Sequence, residues 1–316
     1  MGLLAATWGG SYLLIKIALD DLPAPVIVWA RVVLGGLVLA PLVLRQGSWR
    51  ALRGRVGWIV LLAAVNQAGP FLLITFGEER IASGLTGVLV ASAPVFTALL
   101  GLRFDRTASL GRAGWVGIGL GMAGVVLLFG ADLSGDGDLV IGGLMVLLSG
   151  LGYAIGAHLS RAKLVGVPPM ATAGATMAAS SVLGLPWALA TVGDVGSVGA
   201  GTVAAMVTLG ALGTGLAFAI YYTLIAEVGA SRASVVAYVA PGFSVVYGAV
   251  FLSEPITAGA VGGLTLILAG SWLAARDRGR PAAGAVSRSA PSRSSAPAPG
   301  PAPRTPAAAS PPGTAG

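Results

Sequence analysis

The sequence contains no cysteine and a single histidine, and only 10% of its 316 residues are charged. The absence of cysteine excludes disulfides, thiolate metal sites and cysteine nucleophiles. One histidine leaves little material for a histidine metal site or a general base, and no Asp or Glu falls in the central part of a predicted helix. We therefore expect no cofactor, no bound metal and no enzymatic activity.

Apolar residues, by contrast, are abundant. Hydrophobic residues make up 55% of the chain, glycine occurs 49 times, and the mean hydropathy is +0.87. A membrane-spanning helix needs about 20 mainly apolar residues, and membrane strands would alternate in polarity, which these blocks do not. The sequence predicts an all-α membrane protein with ten transmembrane helices. The blocks are 1–19, 22–44, 56–77, 81–102, 113–131, 139–160, 164–193, 195–226, 233–253 and 255–275.

Basic residues are distributed unevenly between the loops. With ten helices, 16 of the 19 Lys and Arg residues fall on one side, in the even-numbered loops and the tail, whereas acidic residues dominate the other side. Because basic loops stay cytoplasmic, we predict a multi-pass protein of the cytoplasmic membrane with both termini in the cytoplasm. The net charge of +7 forms no patch, so we expect the lipid bilayer as a partner and no nucleic acid.

The last segment, 276–316, has a different composition. It holds nine of the 19 prolines together with Ser, Ala, Gly and Arg, and it has no aromatic residue. Such a segment buries too little apolar surface to offset its ordering entropy. We predict a disordered cytoplasmic tail.

The two halves of the remaining chain repeat each other. Residues 82–94 correspond to 230–241, so that Pro94 and Pro241 occupy matching positions in the fourth helix of each half. We predict two five-helix repeats, 1–137 and 138–275. Because five is odd, the second repeat enters the membrane from the opposite side, and inverted repeats commonly support alternating access around a midplane site.

Five short motifs resemble those of the EamA-type permeases of the drug/metabolite transporter superfamily, over about 1–275. They are Trp8-Gly9-Gly10-Ser11 with Ile15-Lys16, Ala30-Arg31, Ala82-Ser83 with Pro94, Ala230-Ser231 with Pro241, and Ser253-Glu254-Pro255-Ile256-Thr257. The resemblance implies an exporter of small metabolites, amino-acid-like or drug-like compounds. The first-half counterpart of Glu254 should lie near 105–108, where the sequence departs from the family pattern, so no role is carried over there.

Three candidate substrate-binding residues share one face of the first helix. Trp8, Tyr12 and Lys16 recur every four residues. They either line a cavity or act as an aromatic anchor and a lysine that reaches the outer surface beside Asp20. Arg31 lies deep in the second helix, where an arginine must face protein or water. It either binds an anionic group of the substrate, such as a carboxylate, or hydrogen-bonds to the protein itself.

Further candidates lie in later helices. Asn66 and Gln67 are adjacent in the third helix, and because neighbouring side chains point about 100° apart, at most one of them faces a cavity. Tyr153 and Tyr238 either line the cavity or pack with a satisfied hydroxyl. Pro94 and Pro241 are predicted helix breaks and hinges, because proline removes a backbone donor.

Together these features predict a secondary transporter of a small molecule that works by alternating access. The alternative is a channel-like or sensory multi-pass membrane protein without coupled transport. No phosphate-binding Walker loop occurs, so the chain is not itself an ATP-driven pump. The substrate, the coupling ion and a homo-oligomeric state stay open at this point.

Overall fold

The computed structural model describes residues 1–104, 110–131 and 136–277, and regular structure in these ranges is helical throughout. We number the long helices α1–α10. They are α1 Gly2–Ala18, α2 Ala24–Arg45, α3 Val56–Glu78, α4 Ser83–Arg103, α5 Arg112–Ala131, α6 Gly137–Lys163, α7 Pro169–Asp194, α8 Ala200–Val228, α9 Val235–Leu252 and α10 Ala258–Asp277.

Nine of these helices, α2–α10, are long and apolar enough to cross a membrane within the described part of the chain. The helix α1 is equally apolar but has only 17 residues. The all-α membrane fold is thus confirmed. The count of ten spans stays a prediction, because α1 is shorter than the other nine helices and is not among the candidate spans. The predicted tail lies almost wholly outside the described residues, as does the segment 105–108.

The outer surface of the helices is apolar, as a lipid-facing surface must be. Large hydrophobic side chains such as Leu37, Val126, Leu189 and Val250 are each more than 60% exposed. Soluble monomers rarely expose contiguous apolar surface of this kind, since its contact with water is unfavourable. The exposed side chains therefore mark the faces that contact lipid.

Two helices, α3 and α8, widen into π-helical turns. The π-helical segment is Ala64–Ala68 in α3 and Thr208–Leu216 in α8. Pro70 has no N–H to donate to the carbonyl of Asn66, which removes one i→i−4 bond and favours the wider turn in α3. In α8 the Thr214 hydroxyl donates to the Leu209 carbonyl at 2.9 Å and so takes up one freed acceptor.

The two prolines differ in their effect on the backbone. The helix α4 is interrupted at Ala91 and Ser92, and Pro94 follows as the second residue of the next helical segment, where its missing N–H has little cost. The helix α9 runs unbroken through Pro241. The helix break predicted at Pro241 is therefore not observed. The hinge role of either proline stays a prediction.

The helices α5 and α10 meet through glycines. A Cβ atom added at Gly270 would lie 2.4 Å from both the Gly117 carbonyl oxygen and the Gly121 nitrogen. A Cβ atom at Gly124 would lie 2.8 Å from the Gly263 carbonyl oxygen. Glycine allows membrane helices to approach backbone to backbone and gain dispersion contacts that larger residues would prevent.

Two carboxylates cap the N-termini of helices that are distant in sequence. Glu254, between α9 and α10, accepts hydrogen bonds from the backbone N–H groups of Ser83 and Gly84, at 2.7 and 2.9 Å, at the start of α4. Asp21 likewise accepts from the Gly199 N–H and the Thr202 hydroxyl at the start of α8. These bonds hold the pKa of the Asp21 carboxyl below its usual value. Carboxylates suit these positions because a helix N-terminus carries partial positive charge.

Candidate substrate site

Arg31, the eighth of the 22 residues of α2, is the central charged residue of the site. Its side chain is 7% exposed, and its guanidinium carbon lies 3.9 Å from the centroid of the Phe71 ring. Its Nε–H donates to the Thr214 hydroxyl at 2.8 Å, and this is the one hydrogen bond that the guanidinium makes to the described residues. A guanidinium has five N–H donors, so four remain for a ligand or for water.

The side chain of Lys16, from α1, reaches the C-terminal end of α3. Its ammonium donates to the backbone carbonyls of Glu78 and Ile81, the latter at 3.2 Å. A cation is favoured there because the C-terminus of a helix carries partial negative charge. This partly buried contact joins α1 to the end of α3. Both interpretations given above for Lys16 stay predictions.

Glu78, the last residue of α3, was not among the predicted site residues. Its side chain has no exposed surface. Neither carboxylate oxygen has a hydrogen-bond donor among the described residues. Electrostatic interactions link it to Lys16, Arg31 and Glu254.

Two tyrosines complete the cluster. Tyr12 of α1 and Tyr153 of α6 interact electrostatically with Arg31, and both pack on the apolar group that contains Ile15, Ile27 and Ile74. Tyr12, Lys16 and Tyr153 are each partly exposed, whereas Arg31 and Glu78 are buried. Residues from α1, α2, α3, α6 and α8 thus converge around Arg31.

The two amide side chains in the π-helical turn of α3, Asn66 and Gln67, lie in different surroundings. Asn66 packs against α6, where a Cβ atom added at Gly156 would lie 2.2 Å from its side-chain oxygen. Gln67 is 4% exposed, and its side-chain nitrogen has no partner among the described residues. Phe71, Ile74 and Glu78 recur at helical spacing and so share one face of α3.

Two predicted site residues lie away from this cluster. Trp8 contacts Tyr221 and Phe218 of α8, with ring centroids 4.9 and 6.0 Å apart. The Tyr238 hydroxyl lies 3.5 Å from the Ser271 carbonyl oxygen, between α9 and α10. The structure therefore brings together Tyr12, Arg31 and Tyr153, and links Lys16 to Arg31 through Glu78. The contacts of Trp8 and Tyr238 are with other side chains.

Sequence reasoning missed three members of the cluster. Phe71 and Thr214 looked like ordinary apolar and small residues of membrane helices, and their contact with Arg31 depends on how α2, α3 and α8 pack. One signal for Glu78 was present in the sequence. It follows Gln67 by 11 residues, three turns of an α-helix, and so shares its face. Within the described residues, no group of three His, Cys, Asp or Glu residues could hold a metal ion.

Comparison with known proteins shows what kind of molecule carries this site. The model of the EamA-like transporter family matches the chain twice, at residues 1–130 and 140–276. The chain belongs to this family. The two matched segments, together with the apolar helices, make it a multi-pass membrane protein with an internal duplication, and its family is one of transporters.

Individual relatives agree with this assignment. An uncharacterized inner membrane transporter of Escherichia coli K12, YedA, is 28% identical over 76% of this chain and 78% of its own length. An uncharacterized transporter of Bacillus subtilis, YoaV, is 23% identical over 86% of this chain and 95% of its own. A solved crystal structure with 21% identity has the same fold, with a TM-score of 0.62 over 88% of this chain and 96% of that one.

Proposed function

We propose that the protein is a secondary transporter that exports small metabolites, amino-acid-like or drug-like compounds, across the cytoplasmic membrane by alternating access. The observation that carries the proposal is Arg31, a buried guanidinium with four N–H donors unused by the described residues. Buried charged groups in membrane proteins mark substrate pathways, because they are costly unless a ligand or partner compensates them. A carboxylate fits such a guanidinium through paired hydrogen bonds.

The helix arrangement supports alternating access in this proposal. We take α1 as the tenth span, since about 25 Å of helix approaches the thickness of the hydrocarbon core. Each matched segment then holds five spans, and the second has the opposite orientation to the first. Matching π-helical turns in α3 and α8, the third helix of each half, place irregular backbone at equivalent positions. Interrupted helices in equivalent positions are typical of substrate sites in inverted-repeat carriers.

Topology gives the first test. A cytoplasm-active reporter fused after Ser48 or Gly279 is expected to be active, whereas fusion after Gly135 should favour a periplasmic or external reporter. The reason is the concentration of basic residues on the Ser48 side. Activity of an external reporter at Gly279 would contradict the ten-span count and with it the inverted arrangement.

Transport gives the second test. Purified protein in liposomes should catalyse saturable exchange of a radiolabelled L-amino acid drawn from a panel of all twenty, because the Arg31 site suits a carboxylate. The measurement is counterflow, in which unlabelled substrate inside drives transient accumulation of label. A channel gives no counterflow, so conduction without it would favour the channel-like alternative, and no movement of any panel member would oppose the amino-acid-like substrate.

A further inference from the structure

Two loops that are distant in sequence meet at one end of the helices. One loop joins α2 to α3 and the other joins α6 to α7, so both lie at the ends of membrane-spanning helices. The Arg55 guanidinium donates to the backbone carbonyls of Lys163 and Val165, at 3.3 and 2.7 Å. Leu52 packs on an apolar group that contains Leu164. The two loops thus form one surface at the level of the lipid headgroups.

These loops and the helix ends beside them are basic. They carry six basic residues, which are Arg45, Arg50, Arg53, Arg55, Arg161 and Lys163. The sequence has no Asp or Glu from 22 to 77 or from 139 to 193. Apart from Arg55, the basic side chains make no hydrogen bond or ion pair to the described residues. Sequence analysis assigned these charges to separate loops and expected no patch, whereas the fold brings the two loops together.

Two tryptophans contact three of these cations. The guanidinium carbons of Arg50 and Arg53 lie 5.7 and 5.5 Å from the centroid of the Trp49 ring. The Nζ atom of Lys163 lies 4.6 Å from the centroid of the Trp58 ring. The two rings are 41% and 39% exposed, and tryptophan favours the boundary between headgroups and hydrocarbon. Cation–π attraction therefore holds the three cations at headgroup depth, where their N–H groups stay available to an acceptor from the membrane.

The charge and the depth of this surface decide the class of ligand. A guanidinium binds phosphate through paired hydrogen bonds, and an ammonium group binds it as a point charge. Val56 and Val165, one beside each set of cations, are 65% and 68% exposed and offer apolar contact to an acyl chain. A phospholipid supplies both a phosphate and acyl chains. An anionic lipid fits better than a zwitterionic one, because it brings no cation of its own.

We propose that the two loops form a binding site for an anionic phospholipid, such as phosphatidylglycerol, whose phosphate is held by Arg50, Arg53 and Lys163. The bound lipid joins the α2–α3 loop to the α6–α7 loop and stabilises the folded protein by mass action. Basic loops are expected from membrane topology alone. Topology requires neither two arginines on one tryptophan nor a contact with a second loop.

The experiment is a lipid titration of the purified protein in nonionic detergent, read by the melting temperature. Phosphatidylglycerol should raise the melting temperature of wild type, whereas phosphatidylcholine at the same mole fractions should have little effect. Each basic residue removed should raise the half-maximal mole fraction about fivefold, hence about fivefold for Lys163→Gln and about 25-fold for Arg50→Gln/Arg53→Gln. All three side chains are exposed, so these variants should fold.

Arg112→Gln/Arg276→Gln is the matched control. It removes two exposed arginines from the side predicted to be cytoplasmic, and one of them, Arg276, also lies over a tryptophan ring, that of Trp272, at 4.9 Å. Both lie outside the two loops, so this variant should respond as wild type does.

Four results would overturn the proposal. Equal responses of wild type to the two lipids would show that no anionic headgroup is recognised. Equal losses in the control and in Arg50→Gln/Arg53→Gln would show only a general attraction to negative charge. An unchanged response in Lys163→Gln would remove the second loop from the site. A response to inorganic phosphate equal to that for phosphatidylglycerol would identify a free anion as the occupant.

Discussion

Replacement of Arg31 by alanine is expected to lower the apparent affinity for a carboxylate-bearing substrate by about 10- to 100-fold. A hydrogen bond to a charged group contributes about 1.5–3 kcal/mol, and each 1.4 kcal/mol changes affinity tenfold. The guanidinium is 7% exposed, so water would not replace the lost contact effectively. The measurement is the substrate concentration that gives half-maximal counterflow, normalised to the amount of folded protein in the liposomes.

Two variants make this prediction specific. Arg31→Lys keeps the charge but loses the planar pair of donors, so it should fall between wild type and Arg31→Ala. Arg80→Ala removes an arginine that contacts the Phe76 carbonyl and Glu79 near the surface, and it should transport as wild type does. Equal half-maximal concentrations in Arg31→Ala and wild type would show that the substrate binds elsewhere.

Replacement of Gly270 by leucine is expected to abolish most of the folded yield. The new Cβ atom would lie 2.4 Å from backbone atoms of Gly117 and Gly121, and backbone atoms cannot rotate away as a side chain can. The helices α5 and α10 would have to separate, at a cost of about 3 kcal/mol or more. The measurement is the monodisperse fraction on size-exclusion chromatography, together with the melting temperature of what remains.

Gly119→Leu provides the matched control in the same helix pair. A Cβ atom at Gly119 meets no other atom within 4 Å, and the residue is exposed on the outer face of α5. A lipid-facing leucine there should leave the yield near that of wild type. If Gly270→Leu and Gly119→Leu behaved alike, the close approach of α5 and α10 would not matter for stability.

The apolar helices could be predicted because a helix that crosses the bilayer needs about 20 residues with few charges. Such stretches are visible in a single sequence. The bounds of α2–α10 follow the apolar blocks. The π-helical turns were not predicted, because a proline such as Pro70 removes one i→i−4 bond whether the helix then breaks or widens. Pro241 shows the same limit, since its helix continues where local rules predict a break.

Some residues of the site could likewise be predicted from the sequence, and others could not. Tyr12, Lys16, Arg31 and Gln67 stood out because polar groups in apolar helices require a compensating contact. The burial of Glu78 could not be predicted, because it is produced by helices that lie elsewhere in the chain. Trp8 was singled out as an aromatic at regular spacing, and its partners turned out to be rings of α8.

The caps of α4 and α8 have a consequence for the order in which the protein matures. Ser83 leaves the ribosome 171 residues before Glu254, and Asp21 precedes Gly199 by 178. The N–H groups at the start of α4 therefore lack their acceptor, Glu254, until most of the chain has been synthesised. Asp21 likewise has no donor from Gly199 or Thr202 until those residues have been synthesised. Neither matched segment can complete its own hydrogen bonds, so co-expressed halves should depend on each other for survival in the cell, and a nascent first half is the stage most exposed to membrane quality control.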